Sequence, residues 1–331
     1  MSGGGGGSGR LQVRRQRSDI ARIRLKIQAV GDDEDGVDRK LSELAGRMEE
    51  HEAAVWATCV DTASALPGNP LQGVIEQQGS MSLVALCAVD RGDINRVIGL
   101  GVGAPARPRD LDAIEAFYES YGQRNFRIEM TPMAHPSELA GWIEALGLAC
   151  DDLGTFKMWR RAAHPPVADA DIDVRRLAPA DADALAAISV AAWGAWSMPV
   201  SMAAWFGATV GLDGVQHYGA FDQDRLVATG ALFIGDGVGW LGFDATHPRY
   251  QGRKLRQALS TARMIDAVAH GCQVVHAESS LPPSQRALRD GWQLLYEKKN
   301  YSSICVDEKV TTSGSVVGDG PRTVHGPPGH V

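Results

Sequence analysis

The stretch THPRYQGRKLRQAL, residues 246–259, decides how this chain is read. An apolar run, Gly239-Trp240-Leu241-Gly242-Phe243, precedes it, and apolar residues then recur at Leu255, Leu259, Ala262, Ile265 and Ala269, the spacing of a helix. A strand, a loop turning at Pro248 and a helix are therefore expected. The first backbone N–H groups of a helix have no internal partner and sit at the positive end of its dipole, so an anion such as a pyrophosphate can rest there. Arg249, Arg253, Lys254 and Arg256 crowd the same turn. By itself the stretch favours an ordinary basic helix start facing solvent. The order of the elements around it separates the two readings.

Upstream, residues 172–177 alternate like a strand, and Pro179-Ala180-Asp181-Ala182-Asp183 opens a helix with acidic residues in its first turn. An apolar helix or helix pair over 185–210 follows, then strands at 217–221 and 226–234, with a hairpin at Gly235-Asp236-Gly237. Downstream come a buried strand at 273–277, a short helix ending near Trp292, and closing strands over 294–306. The order is β, α, α, β, β, β, loop, α, β, α, β, β. Residues 47–162 repeat its later half: strand 95–101, helix 110–121, strand 125–130, helix 137–146, strand 153–160. The junction there is Gly103-Ala104-Pro105-Ala106-Arg107-Pro108-Arg109, whose two prolines remove N–H donors where a phosphate would need them.

This order and these motifs resemble the GCN5-related N-acetyltransferases (GNAT). In that family a strand ends in a V-x-P-like turn, and Q/R-x-x-G-x-G/A opens the helix whose N-terminus takes the pyrophosphate of acetyl-coenzyme A. Thr246-His247-Pro248 and Gln251-Gly252-Arg253-Lys254-Leu255-Arg256 match it, with Lys254 and Arg256 where the two glycines stand. Val174-Arg175-Arg176-Leu177-Ala178-Pro179-Ala180-Asp181-Ala182 is similar to the family's opening, and Gly141-Trp142-Ile143-Glu144-Ala145-Leu146-Gly147-Leu148 to its x-L-Y-E-K-L-G-F. The resemblance implies an α/β chain of two tandem acyl-CoA N-acyltransferase folds, each a mixed, mostly antiparallel central sheet flanked by helices. The implied layout is an extension at 1–46, a degenerate copy without a cofactor site at 47–162, a linker at 163–171, the acetyltransferase domain at 172–306 and a tail at 307–331.

By position in the family's motif, Asp244, Ala245 and Thr246 give the donor its backbone contacts. Gln251, Gly252, Arg253, Lys254, Leu255 and Arg256 are implied to hold its pyrophosphate. The family's proton donor is usually a Tyr in N-x-x-A-x-x-L-Y-x-x-x-G-F. With Gly291-Trp292 as the closing pair, Ser280 falls at the Asn and Ala287 at the Tyr, while Tyr296 and Tyr301 lie too far along. Asp244 and Glu278, on the two strands that splay around substrate in this fold, are the candidate bases; the alternative is that each is a solvated strand-end charge. His276 is read as packed or hydrogen-bonded in its strand, and His247 as a turn residue. Trp193, Trp196, Met198, Met202, Trp205 and Phe206 form either core or an apolar wall of the acceptor cleft.

Composition narrows the remaining classes. The chain has 331 residues, 44% hydrophobic and 22% charged, room for two ordinary domains. A net charge of -7 argues against a general nucleic-acid surface, and no apolar run reaches the length of a membrane span. Cys59, Cys87, Cys150, Cys272 and Cys305 form no CxxC or Cys/His cluster, so no metal site is expected, and a reducing, cytoplasmic setting fits them. Residues 1–46 carry a glycine run and a basic arm, Arg10 to Lys26, without a secretory pattern, and read as a disordered extension or as sequence upstream of a start near Met48. The Gly/Pro-rich residues 314–331 read as a disordered tail.

The function implied is transfer of an acetyl group from acetyl-CoA, as cosubstrate, to an amine of a small molecule or protein, with a homodimer among the assemblies allowed. The lost glycines and missing Tyr keep open a non-catalytic or regulatory acyl-CoA-binding module, or coenzyme A handled for other chemistry such as acyl decarboxylation.

Overall fold

The computed structural model describes residues 34–151, 154–163, 171–193, 200–281 and 283–303; the glycine-rich start, most of the linker, Trp196, Met198 and the C-terminal tail lie outside these. The first half comprises α1 (Glu34–Ala65), β1 (Gly73–Gln78), β2 (Met81–Leu86), β3 (Arg96–Ile98), α2 (Pro108–Ser120), β4 (Arg127–Met130), α3 (Leu139–Ala145), β5 (Ala149–Cys150) and β6 (Thr155–Arg161). The second comprises β7 (Asp173–Arg176), α4 (Ala182–Trp193), α5 (Val200–Ala208), β8 (Val215–Asp222), β9 (Arg225–Gly235), β10 (Val238–Thr246), α6 (Leu255–Ala269), β11 (Val274–Ser279), α7 (Gln285–Arg289) and β12 (Gln293–Ser302). The expected α/β order is present in both halves.

The described strands form one mixed, mostly antiparallel sheet in the order β1-β2-β3-β4-β12-β6-β11-β10-β9-β8-β7, with β5 beside β12. Each half sends its last strand across to the other. β6 of the first half lies between β11 and β12, pairing antiparallel with both, and β12 of the second half reaches β4 through Lys299–Met130 and Tyr301–Ile128. This corrects the expected pair of closing strands over 294–306: among the described residues there is a single strand, β12, and the place beside β11 is taken by β6. Among the described strands only two pairs are parallel, β3/β4 and β10/β11, and both are short. The β10/β11 register runs from Val238–Val274 to Trp240–His276 and stops, so the strands part beyond it.

Local sequence explains the elements around that opening. β8 and β9 are apolar on both faces because helices cover both, as their nearly continuous burial shows. The β9–β10 hairpin turns on Asp236 (φ 48) and Gly237 (φ 72), two positive φ values whose twist matches that of the strands. α6 lays Leu255, Leu259, Met264 and Ala267 against Leu232, Leu241 and Val275 on one face of the sheet. On the other face α1 packs Val55, Trp56, Cys59 and Val60 with Trp205, Phe206, Phe233 and Trp240. Trp205 donates its indole N–H to the Cys59 carbonyl at 2.7 Å, fastening α5 to α1.

α1 corrects the boundary expected at 46/47, which falls inside it. Ala45 is buried and Leu44 packs against Met48 and Val274 of the second half, so residues 34–46 are helix rather than a loose extension. The aromatic stripe proves to be core: Met202, Trp205 and Phe206 are buried, with Trp193 partly so. Cys59, Cys87, Cys150 and Cys272 are free thiols. Among the described residues no helix is long and apolar enough to cross a membrane.

Candidate functional site

The loop between β10 and α6 is built by conformations that few residues adopt. Pro248–Tyr250 make a 3-10 turn capped by His247, whose Nδ1 accepts from the Arg249 N–H at 3.2 Å, as a turn residue would. Gly252 has φ 79, and Lys254, directly before α6, is left-handed at φ 60, ψ 12. Lys254 thus keeps the backbone a glycine would supply, at a cost of about 1–2 kcal/mol. No side chain caps α6. Its first N–H groups, on Leu255 and Arg256, have no intrahelical acceptor and face the loop.

A cavity of about 290 Å³ lies over this turn, lined by Thr246, Tyr250, Gln251, Gly252, Arg253, Lys254, Leu255 and Arg256; each of these but Tyr250 is singled out by the sequence. It adjoins a groove of about 390 Å³ running between the parted strands, walled by Leu241 and Asp244 of β10, Ala277 and Ser279 of β11, Met158 of β6, and Ala287 of α7; Lys254 and Arg256 line both. The cations stand at the rim. Lys254 and Arg253 are exposed, Arg253 resting over the Tyr250 ring at 4.7 Å, and Arg256 is 69% exposed. Ala245 packs against Ile188 and Leu226, so only its backbone is left to serve the groove.

Asp244 and Glu278 face opposite ways. β10 bulges between Gly242 and Ala245, with Phe243 at φ 53, and this turns Asp244 toward the groove. There its carboxylate meets buried Arg263 at 2.6 Å and Arg256 at 3.5 Å. Arg263 also donates to the carbonyls of Ala231 and Leu259 at 3.0 and 3.1 Å, so Asp244 anchors the cation that holds the bulge. The contact is tight enough to require Gly230, where a Cβ would come within 2.6 Å of Asp244 Oδ1 and 2.8 Å of Arg263.

Glu278 lies on the other face of β11, turned toward α1 in a cluster of charges that sequence reasoning did not assemble. Lys298 Nζ stands 2.6 Å from Glu52, 3.1 Å from Glu129, 2.9 Å from Glu278 and 3.2 Å from Glu49. Lys157 bonds Glu52, and lies 3.1 Å from Glu278 and 3.3 Å from Glu49; Arg96 is 3.0 Å from Glu129. Burial pushes the Glu278 carboxyl up, but Lys157, Lys298 and Arg96 outweigh it and hold it well below the usual range, which leaves a weak proton acceptor. Oxygens of Glu52, Glu129 and Glu278 approach within 4.8 Å of one another, the spacing of a cation site, and the Lys298 ammonium is the cation among them. Next to the cluster, His276 accepts or donates to His51 at 3.1 Å, buried in its strand as expected; burial lowers both, His51 to about 4.

Neither late tyrosine reaches the groove. Tyr296 donates to Glu49 in the charge cluster and Tyr301 is buried in the first half's core. Ala287 does line the groove, so the position of the family's Tyr carries no hydroxyl. In the first half the corresponding junction is bridged by other contacts. Asp110 accepts from the Arg107 N–H at 2.8 Å, capping α2, and the backbone of His135 bonds Gly101 and Ala106 at 2.9 and 2.7 Å, bridging the gap beyond β3.

No family model matches the sequence, and no curated protein does. Among solved structures the chain is similar to a GCN5-related N-acetyltransferase from Kribbella flavida, at 16% identity and TM-score 0.52, over 74% of this chain and 95% of that one. A tandem GNAT protein from the clavulanic acid biosynthesis pathway aligns at 15% identity and TM-score 0.49, over 73% and 86%. A GCN5-related N-acetyltransferase from Sphaerobacter thermophilus aligns at 14% and 0.49, over 69% and 81%. The likeness to the Kribbella flavida structure, with the parted β10/β11 pair and the helix start beside it, shows the fold of the GCN5-related N-acetyltransferases.

Proposed function

We propose that the groove takes acyl-coenzyme A and that the protein is an N-acyltransferase, moving an acetyl group to an amine of a small molecule or a protein. One observation carries the reading: a helix N-terminus without a side-chain cap, ringed by Arg253, Lys254 and Arg256, opens directly onto the groove between β10 and β11. A diphosphate on the amides of Leu255 and Arg256 directs a pantetheine arm along Leu241, Met158 and Ala277 toward the point where the strands part. Ser284 lines that path, and its Oγ accepts from the Ala287 N–H at 3.1 Å, which leaves its own hydrogen to give to a departing thiolate where the family uses Tyr.

A second reading, an acyl-CoA-binding module without turnover, draws support from Ala287 and from the engagement of both Asp244 and Glu278 in ion pairs. Titration with coenzyme A and acetyl-CoA, followed by thiol release across a panel of primary amines, separates the two. Turnover with any amine favours the transferase, and binding without turnover favours the module. Absence of binding overturns both.

A further inference from the structure

Beyond the pair Trp240–His276, strands β10 and β11 part, and a donor lying in the groove brings its thioester end to that gap. Whatever stands behind the gap meets the acyl group. Leu241 and Ala277 belong to the groove face; on the other face, two residues past the last pair, come Gly242 and Glu278. Gly242 has no side chain to fill its own place, and Trp240 takes it: a Cβ at Gly242 would come within 2.2 Å of two carbons of the indole ring. The ring is buried and held against Phe233 and Phe243, with centroids 5.3 and 5.7 Å apart, so it cannot swing aside. Across the gap Glu278 is fixed by Lys157 at 3.1 Å and Lys298 at 2.9 Å. Among the described residues, an alkyl chain pushed through the gap therefore meets an aromatic surface on one side and an ion pair, whose remaining water it would displace, on the other.

Phe243 gives a second and independent sign. It opens the β10 bulge at φ 53, a position where such bulges carry glycine because any side chain is strained there. Its ring is half-buried, with Trp205, Phe206, Phe233 and Trp240 at centroid distances of 5.5–5.8 Å. Backbone strain of this kind persists where the surroundings over-determine it, and here it holds an aromatic ring beside the gap. We propose that Phe243 and Trp240 set the length of the acyl group, admitting acetyl and turning away longer chains. The proposal rests on the groove's taking acyl-coenzyme A. It supplies a selectivity that the cations at the head of α6 cannot, since they meet only the diphosphate common to every such donor.

The test is calorimetric titration of the full chain with coenzyme A, acetyl-CoA, butyryl-CoA and hexanoyl-CoA, wild type beside Phe243→Gly. Glycine removes the ring and suits the left-handed position, so relief of strain offsets part of the lost packing. Wild type is expected to bind hexanoyl-CoA about tenfold or more weakly than acetyl-CoA, the result of forcing methylenes into packed surroundings, and the variant to bind the two within about threefold. Equal affinities in wild type, or a folded variant that keeps the full preference, overturn the proposal and leave the groove as an acyl-CoA site. Coenzyme A failing to bind wild type overturns that assignment and the proposal with it. Should the glycine variant not fold, Phe243→Leu keeps an apolar contact with the same rings and is expected to narrow the preference by about threefold; an unchanged preference there overturns the proposal.

Discussion

Lys254 offers a perturbation in which strain and charge act with opposite sign. Its left-handed backbone costs about 1–2 kcal/mol relative to glycine, while a glycine adds about 0.5–1 kcal/mol of unfolded-state freedom. Lys254→Gly is therefore expected to stabilise the chain by about 0.5–1 kcal/mol, read as a rise in urea midpoint at unchanged slope. The same variant removes a rim cation beside the α6 N-terminus. At an exposed position such a charge contributes about 0.3–1 kcal/mol to holding an anion, so coenzyme A should bind about two- to fivefold more weakly by calorimetry. Lys254→Ala separates the contributions, because alanine keeps the left-handed strain and loses the cation: unchanged stability with the same loss of affinity is expected. A destabilised Lys254→Gly would refute the loop conformation. An alanine variant that binds like wild type would refute the role of the charge.

Arg263→Met removes the guanidinium's hydrogen bonds to the carbonyls of Ala231 and Leu259 and leaves Asp244 without its buried partner; with Asp244 partly exposed, a loss of about 2–3 kcal/mol is expected in urea unfolding. Trp205→Phe keeps most of the packing but removes the buried indole's hydrogen bond to the Cys59 carbonyl, and should cost about 0.5–1.5 kcal/mol in the same measurement. His51, His217 and His276 are held below their ordinary range chiefly by burial, His51 and His217 at about 4. The unfolded chain takes up protons below pH 6.5 that the folded one refuses, so the histidines' contribution is complete above 6.5 and falls toward pH 4 by about 1.4 kcal/mol per histidine per unit. His217→Asn should flatten that acid limb by one proton. An unchanged limb would contradict its burial.

What the sequence disclosed was local. The apolar strand, the Pro248 turn and the 3.6-residue stripe of α6 are contiguous, so their geometry follows from neighbours in the chain, and the run from Tyr250 to Arg256 lines one cavity. The side-chain direction of Asp244 depended on a bulge that alternation does not reveal. Strand exchange was hidden because the apolar pattern of β6 or β12 is the same whichever half it pairs with. α1 went unread for a related reason: its stripe of Leu44, Met48, Val55, Cys59 and Ala63 is interrupted by Glu49 and Glu52, which look solvated until Lys157 and Lys298, 105 and 246 residues away from Glu52, meet them. Buried ion pairs between distant segments leave no periodic trace, and Glu278 could be recognised as part of one only with its partners in place.

The central claim is that a diphosphate docks at the head of α6. Calorimetric titration of coenzyme A into wild type and into Lys254→Glu/Arg256→Glu addresses it most directly, since both side chains are exposed and the fold should tolerate their reversal. Saturable binding by wild type and a weakening of about 30-fold or more in the double variant, on the order of 1 kcal/mol for each reversal, is the predicted result. Equal affinity in the two proteins would contradict it.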